Sequence, residues 1–244
     1  MPLTVTVLGS SGTYAGPDEA CSGFLVRSAT TTVMMDAGPG TLANLQRHVA
    51  LTDLDAVVLS HSHPDHWLEL PVLRNALKYV LEFEGVDLYA TAETLELAEE
   101  LTHGQLAPTF RPHVITDGSE MVIGDQRWRC SRTDHPVETL GLRVESDGRA
   151  LGYSADTGPG WSLAELGELD LAICEATFLH GSPQCNPVHL SARQAGELAR
   201  AAGVRRLVLS HVLPTGSDEA AITEAAAAYG APVDVARTHR SFDV

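Results

Sequence analysis

The 244-residue, 26.0 kDa chain is 44% apolar and 20% charged, an ordinary globular balance that excludes collagen, coiled coil and disorder. Sixteen Lys and Arg, of which only Lys78 is a lysine, face 32 Asp and Glu for a formal charge of −16, so a long polyanion meets net repulsion unless a patch such as Arg127, Arg129 and Arg132 compensates. No apolar run approaches the roughly 18 residues that cross a bilayer, and the alternating start lacks a basic leader, so a cytoplasmic protein with no membrane partner is expected.

In chain order, periodicity predicts strands over 4–8, 23–26 and 32–36, a helix from about Leu42, a buried strand over 56–59 and a helix after His66. A strand over 86–90 and a helix from Ala92 to about His103, capped by Thr91, close the first half. The second half reads as strands over 120–123, 127–131, 140–145 and 151–154, with Asp147-Gly148 as a hairpin turn. A strand over 169–175, a helix over 191–202, a strand over 207–210 and an alanine-rich helix over about 218–229 follow. Two β-then-α halves, about 1–119 and 120–244, with no Pro, Gly or Ser-rich linker between them, imply one α/β domain over 1–244. Its two sheets would pack face to face with helices outside, as a four-layer αββα sandwich. A doubly wound parallel sheet needs more regular βαβ alternation than the hairpin-rich segment over 120–154 offers. Cys21, Cys130, Cys174 and Cys185 form no CxxC pair and read as buried free thiols.

The chemistry concentrates where the strand over 56–59 runs into Ser60-His61-Ser62-His63-Pro64-Asp65-His66. In an extended loop, His61 and His63 can point to one side and share a cation, while Asp65 and His66, past the Pro64 turn, can aim at a second one. A solvated or capping loop explains any one of these residues but not the set. Four later apolar strands also lead into ligand-type residues, namely His135, Asp156, Glu175 and His211. Strand ends collect at one rim of a sandwich, so these side chains can converge.

This constellation resembles the metallo-β-lactamase superfamily, whose HxHxDH hallmark stands here as His61-Ser62-His63-Pro64-Asp65-His66, and the likeness runs over essentially the whole chain. The resemblance implies a metallo-β-lactamase fold in which His61, His63 and His135 bind one metal ion, Asp65, His66 and His211 bind a second, and Asp156 bridges them. Imidazole and carboxylate without thiolate suit two divalent ions, Zn first, with Mn or Fe open to the same ligands. Such a pair would hold a water or hydroxide and lower its pKa toward neutrality.

Within the superfamily, Glu175-Ala176-Thr177-Phe178 followed by His189-Leu190-Ser191 resembles the ribonuclease Z type of phosphodiesterase. That resemblance implies a proton relay of Asp65, Glu175 and His189, with His189 the proton donor or phosphate-stabilising group, oriented by Glu175 and Asp65. Helix capping by His189 and a buried structural role for Glu175 are the alternatives. A tRNA-processing ribonuclease Z carries a long basic arm in its second half, and the segments between His135 and Asp156 and between Asp156 and Glu175 are too short for one. With the acidic charge, this disfavours long nucleic acid and favours a small nucleotide-type phosphodiester. The Gly9-Ser10-Ser11-Gly12 opening, the Glu175 and His189 motifs and a short C-terminal strand over 238–244 also resemble the compact actinobacterial cyclic nucleotide phosphodiesterases.

The expected function is hydrolysis of a small, cyclic or open, nucleotide phosphodiester. A tRNA 3′ endonuclease, a lactonase or thioesterase, and a noncatalytic binding member are the alternatives, and a homodimer is left open. Trp67 and Phe178 could each stack on a base or pack in the core. The segment from Gly9 to Tyr14 could line a pocket or form a plain turn, and His48, His103, His113, His180 and His239 lack a ligand context.

Overall fold

The computed structural model describes residues 2–182 and 187–244. Strands β1 (Thr4–Gly9), β2 (Gly23–Arg27), β3 (Thr32–Met35), β4 (Ala56–Val58), β5 (Val86–Ala90) and β6 (Phe110–Val114) follow one another across the first sheet. The second sheet takes β7 (Glu120–Ile123), β8 (Gln126–Arg132), β9 (Leu140–Ser146), β10 (Arg149–Tyr153), β11 (Leu171–Glu175), β12 (Leu207–Ser210) and β13 (Val233–Val235). The last strand, β14 (Ser241–Asp243), returns to the first sheet beside β1.

Each sheet opens with antiparallel hairpins, β1 to β3 and β7 to β10, and continues as parallel pairs, β3 to β6 and β10 to β13. Parallel pairs need crossovers, and most of these crossovers are helical. Helices α1 (Thr41–Leu45), α2 (Pro64–Trp67), α3 (Leu70–Ala76) and α4 (Ala92–Leu101) serve the first sheet, while α5 (Ala192–Ala201) and α6 (Asp218–Tyr229) serve the second.

Strand alternation sorts the apolar residues into three layers. Val5, Val7, Phe24, Trp128, Leu142, Ile173 and Val208 fill the space between the sheets. Leu25, Met34 and Val57 face outward onto Leu45, Leu70 and Leu73, and Ala172, Cys174 and Leu209 face outward onto Ala195, Ala199 and Ala225. The result is the expected αββα sandwich, with the ends of β3, β4, β10, β11 and β12 at one rim.

The helix expected from Leu42 is a single turn, and the one expected after His66 begins at Pro64, so that Asp65 and His66 lie in its first turn. Two strands escape the periodicity. Edge strand β6 carries Arg111, Pro112 and His113, and its outer residues are exposed because no neighbour covers that side; β13 is only Val233–Val235. The C-terminal strand shortens to Ser241–Asp243. Asp147 and Gly148 both take positive φ, 50° and 70°, as a primed hairpin turn requires.

Cys21, Cys130 and Cys174 are buried and free, and burial pushes each thiol up to about 12; Cys185 lies outside the described residues. Among the described residues no helix is long and apolar enough to cross a membrane.

Candidate metal centre

Two short carriers bring His61, His63, Asp65 and His66 to the rim. The chain leaves β4 at Val58, passes His61, reaches His63 in extended backbone, and turns at Pro64, the first residue of α2. Trp67 fastens this loop by donating its indole N–H to the Ser62 carbonyl at 2.8 Å, and is itself buried in the outer core. From the second sheet, His135 follows β8, Asp156 follows β10 and His211 follows β12. Positive φ recurs at these ends, at Asp36 (58°), Ala155 (50°) and His211 (57°). Non-glycine residues rarely adopt such values, and their clustering here marks a site where geometry is held against local preference.

The side chains meet in two groups joined by Asp156. One ligand atom from each of His61, His63, His135 and Asp156 lies within 4.8 Å of the others, and the same holds for Asp65, His66 and His211. Asp156 Oδ2 stands 3.6 Å from His61 Nε2 and 3.9 Å from His135 Nε2. Its other oxygen, Oδ1, stands 3.3 Å from His66 Nε2 and 3.4 Å from His211 Nε2. Asp65 Oδ2 completes the second group at 3.7 Å from His66 Nε2 and 3.2 Å from His211 Nε2.

Outer hydrogen bonds fix which nitrogen of each ring points inward. Ser60 Oγ donates to Asp36 Oδ2, so it accepts from His61 Nδ1 at 3.0 Å. His66 Nδ1 donates to Asp36 Oδ2 at 2.7 Å, and His135 Nδ1 donates to the Val188 carbonyl at 3.0 Å. Thr177 Oγ1 donates to Glu175 Oε2 and accepts from His211 Nδ1 at 2.8 Å. In the neutral form, all four rings therefore present a bare Nε2 to the interior, the arrangement that outer partners impose on metal-binding imidazoles.

The residues fit a metal on a second count. His61 Nε2, His66 Nε2 and Asp156 Oδ1 are buried without a hydrogen-bond partner, and such orphaned groups are costly unless something coordinates them. Divalent cations with nitrogen and oxygen preference suit this donor set.

Electrostatics follow the geometry. Burial, helped by the neighbouring imidazoles, lowers His61 and His135 against the pull of Asp156. Burial also disfavours charge on His66 and His211, but the carboxylates of Asp156 and Asp65 override it and raise both. Burial would raise Asp65 and Asp156; the surrounding imidazoles hold both well below the usual carboxylate range.

His189 lies beside the cluster, half-buried, its ring stacked on that of His211 at 5.3 Å. Its Nδ1 bonds Glu175 Oε1 at 3.0 Å and stands 3.9 Å from Asp156 Oδ2. Burial works against its charge, yet the Glu175 hydrogen bond and the nearby carboxylates raise it to about 9. Glu175 also accepts from the Thr157 and Leu190 N–H groups. Asp65 is bonded to His211 Nε2 and to the Thr13 N–H rather than to His189.

Periodicity and motif left Asp36 unnoticed, because it stands as the last residue of the strand expected over 32–36, outside the histidine motif. It is fully buried and accepts from Ser60 N, Ser60 Oγ, His66 Nδ1 and Tyr153 OH, so one carboxylate steadies ligands of both groups. The Gly9–Tyr14 segment proves more than a turn, since Thr13 holds Asp65 and a Cβ on Gly12 would sit 2.5 Å from the His211 carbonyl oxygen.

A family profile described as beta-lactamase superfamily domain matches residues 31–212. The chain is 36% identical over 253 residues to protein Rv1339 of Mycobacterium tuberculosis, covering 99% of this chain and 92% of that one. It is 30% identical over 245 residues to ribonuclease Z of Mycobacterium marinum, covering 87% of each. The crystal structure of the metallo-beta-lactamase fold protein YhfI from Bacillus subtilis matches with a TM-score of 0.91 at 26% identity, over 99% of both chains.

Proposed function

The chain belongs to the beta-lactamase superfamily and is a metallo-hydrolase by that membership, and from this premise we propose that it hydrolyses a small nucleotide-type phosphodiester. The observation that carries the reading is the hydrogen bond between Glu175 and His189 beside a carboxylate that faces two ligand groups. In this reading His61, His63 and His135 would hold one divalent ion and Asp65, His66 and His211 a second, with Asp156 shared between them, and Zn, Mn or Fe would suit the donors. Bound ions supply Lewis acidity to a phosphoryl oxygen and acidify a coordinated water.

The chain's own residues do the rest. Asp36, Ser60, Thr177 and the Val188 carbonyl keep the inward nitrogens bare. Glu175 accepts at His189 Nδ1, leaving Nε2 to carry the proton that the departing alkoxide requires. The Glu175 carboxylate at Nδ1 favours the protonated ring. Thr177 Oγ1 joins Glu175 to His211, which locks the donor to the ligand set.

Substrate size follows from what the second half lacks. Between His135 and Asp156 the described chain is a short loop and the β9–β10 hairpin, and between Asp156 and Glu175 a loop with one 3-10 turn. Neither holds a basic arm. Arg129 and Arg143 are occupied with the carbonyls of Glu165, Leu166 and Glu168. Long nucleic acids bind through several phosphate contacts at once, so a small diester, including a cyclic nucleotide, suits this surface better. The 30% likeness to a ribonuclease Z keeps tRNA 3′ processing as the second reading.

The test is leaving-group dependence in His189→Ala. A diester expelling an alkoxide should lose about 10²–10⁴ in kcat with metal content retained, while one expelling nitrophenolate, which leaves without a proton, should lose far less. Equal rates for variant and unsubstituted protein on both diesters would return His189 to a capping role.

A further inference from the structure

Of the five phenylalanines, Phe24 and Phe242 pack between the sheets and Phe83 and Phe110 in the outer core, whereas Phe178 joins none of the three apolar clusters. It is half-buried, and its ring meets that of His189 edge to face at 6.1 Å. With Thr177, Leu179, Val212 and Leu213 it lines a cavity of about 330 Å³, at the lower end of the range for small-molecule sites. Two of its lining residues touch the ligand cluster's surroundings, since Thr177 bonds both Glu175 and His211 and the Phe178 ring meets that of His189.

The lining sets the chemistry of the occupant. Among the described residues no charged side chain lines the cavity, so a phosphate or carboxylate finds no counter-charge from them. Apolar walls, one aromatic ring and the hydroxyl groups of Thr177 and Thr215 suit a flat, uncharged heteroaromatic with hydrogen-bonding edges. We propose that this cavity is the nucleobase subsite and Phe178 its aromatic wall, a reading that rests on the phosphodiesterase assignment and names the group carried by its substrate. The phosphodiester would then lie at the ligand cluster, with His189 between phosphate and base.

The experiment measures binding to the Zn-loaded protein by calorimetry, with AMP and ribose 5-phosphate as probes that differ only in the base. The unsubstituted protein should bind AMP about 5- to 100-fold more tightly, the worth of one base–aromatic stack. Phe178→Ala should erase most of that preference and Phe178→Tyr should keep it. Leu213→Glu, which places a charge in the cavity, should erase it independently. Equal affinities in the unsubstituted protein, or a preference that survives both Phe178→Ala and Leu213→Glu, would overturn the subsite. Failure to hydrolyse any phosphodiester while the AMP preference persists would refute the reaction and leave the base subsite standing.

Discussion

Asp36→Asn isolates the contribution of a buried carboxylate that touches no substrate. Asparagine keeps the shape and tolerates the positive φ of 58° at this position, so the backbone has no reason to move. The hydrogen bonds do. Oδ1 accepts from Ser60 N at 2.7 Å, and Oδ2 accepts from His66 Nδ1 at 2.7 Å and from Ser60 Oγ and Tyr153 OH at 2.8 Å. The amide nitrogen cannot accept, and it does least harm facing the single Ser60 N–H. That orphaned donor costs about 1–3 kcal/mol, and three charge-assisted bonds become neutral ones at roughly 0.5 kcal/mol each, or about 3 kcal/mol together. For a chain of this length the melting temperature should drop by about 6–12 °C, measured on chelator-treated protein. His66 also loses the anion that strengthens its inward nitrogen, so metal affinity should weaken about 10- to 100-fold in competition with a chromophoric chelator. A variant melting within about 2 °C of the unsubstituted protein, with unchanged affinity, would refute the steadying role.

Asp156→Ala removes the group that faces both ligand sets; metal content should collapse at both sites together, and hydrolysis should fall by more than the roughly 100-fold expected of losing an outer partner. Elemental analysis that found one site still filled would separate the two. Gly12→Ala should dislodge His211, because the new Cβ would lie 2.5 Å from its carbonyl oxygen and 2.8 Å from Nδ1, and weaker metal retention with a native circular dichroism spectrum is the expected result. Asp125 links the β7–β8 turn to the β2–β3 turn by accepting from Ser28 Oγ and Thr31 Oγ1, bonds that hold it down to about 2. Its folded pKa lies below the unfolded value of about 4, so this stability is present above pH 4 and is lost as pH falls toward 2. Asp125→Asn should cost about 1 kcal/mol near neutral pH, after screening at an exposed site, and the difference in melting temperature should vanish in acid.

Sheet strands whose alternation is long were legible in the residues, as β1, β5 and β9 illustrate, and so was the Thr91 cap, which accepts from Thr94 N. Strands β6 and β13 were not, because an edge strand needs only one covered side and three residues make no period. The histidine cluster could be read because its spacing is local. Asp36, Ser60 and Tyr153 could not, since their importance comes from hydrogen bonds formed only once two sheets are packed. Phe178 illustrates the opposite ambiguity, in which core packing and base stacking call for the same residue type; the ring joins none of the three apolar clusters.

The most direct measurement is steady-state turnover by Zn- or Mn-loaded protein of four substrates at matched enzyme concentration: an aryl phosphodiester, a 3′,5′-cyclic nucleotide, a lactone and a precursor tRNA. Hydrolysis of the two small phosphodiesters, with little cleavage of the lactone or the tRNA, is the predicted result. Efficient trimming of the tRNA, or turnover of the lactone with neither phosphodiester touched under any metal, would contradict a small-phosphodiester hydrolase.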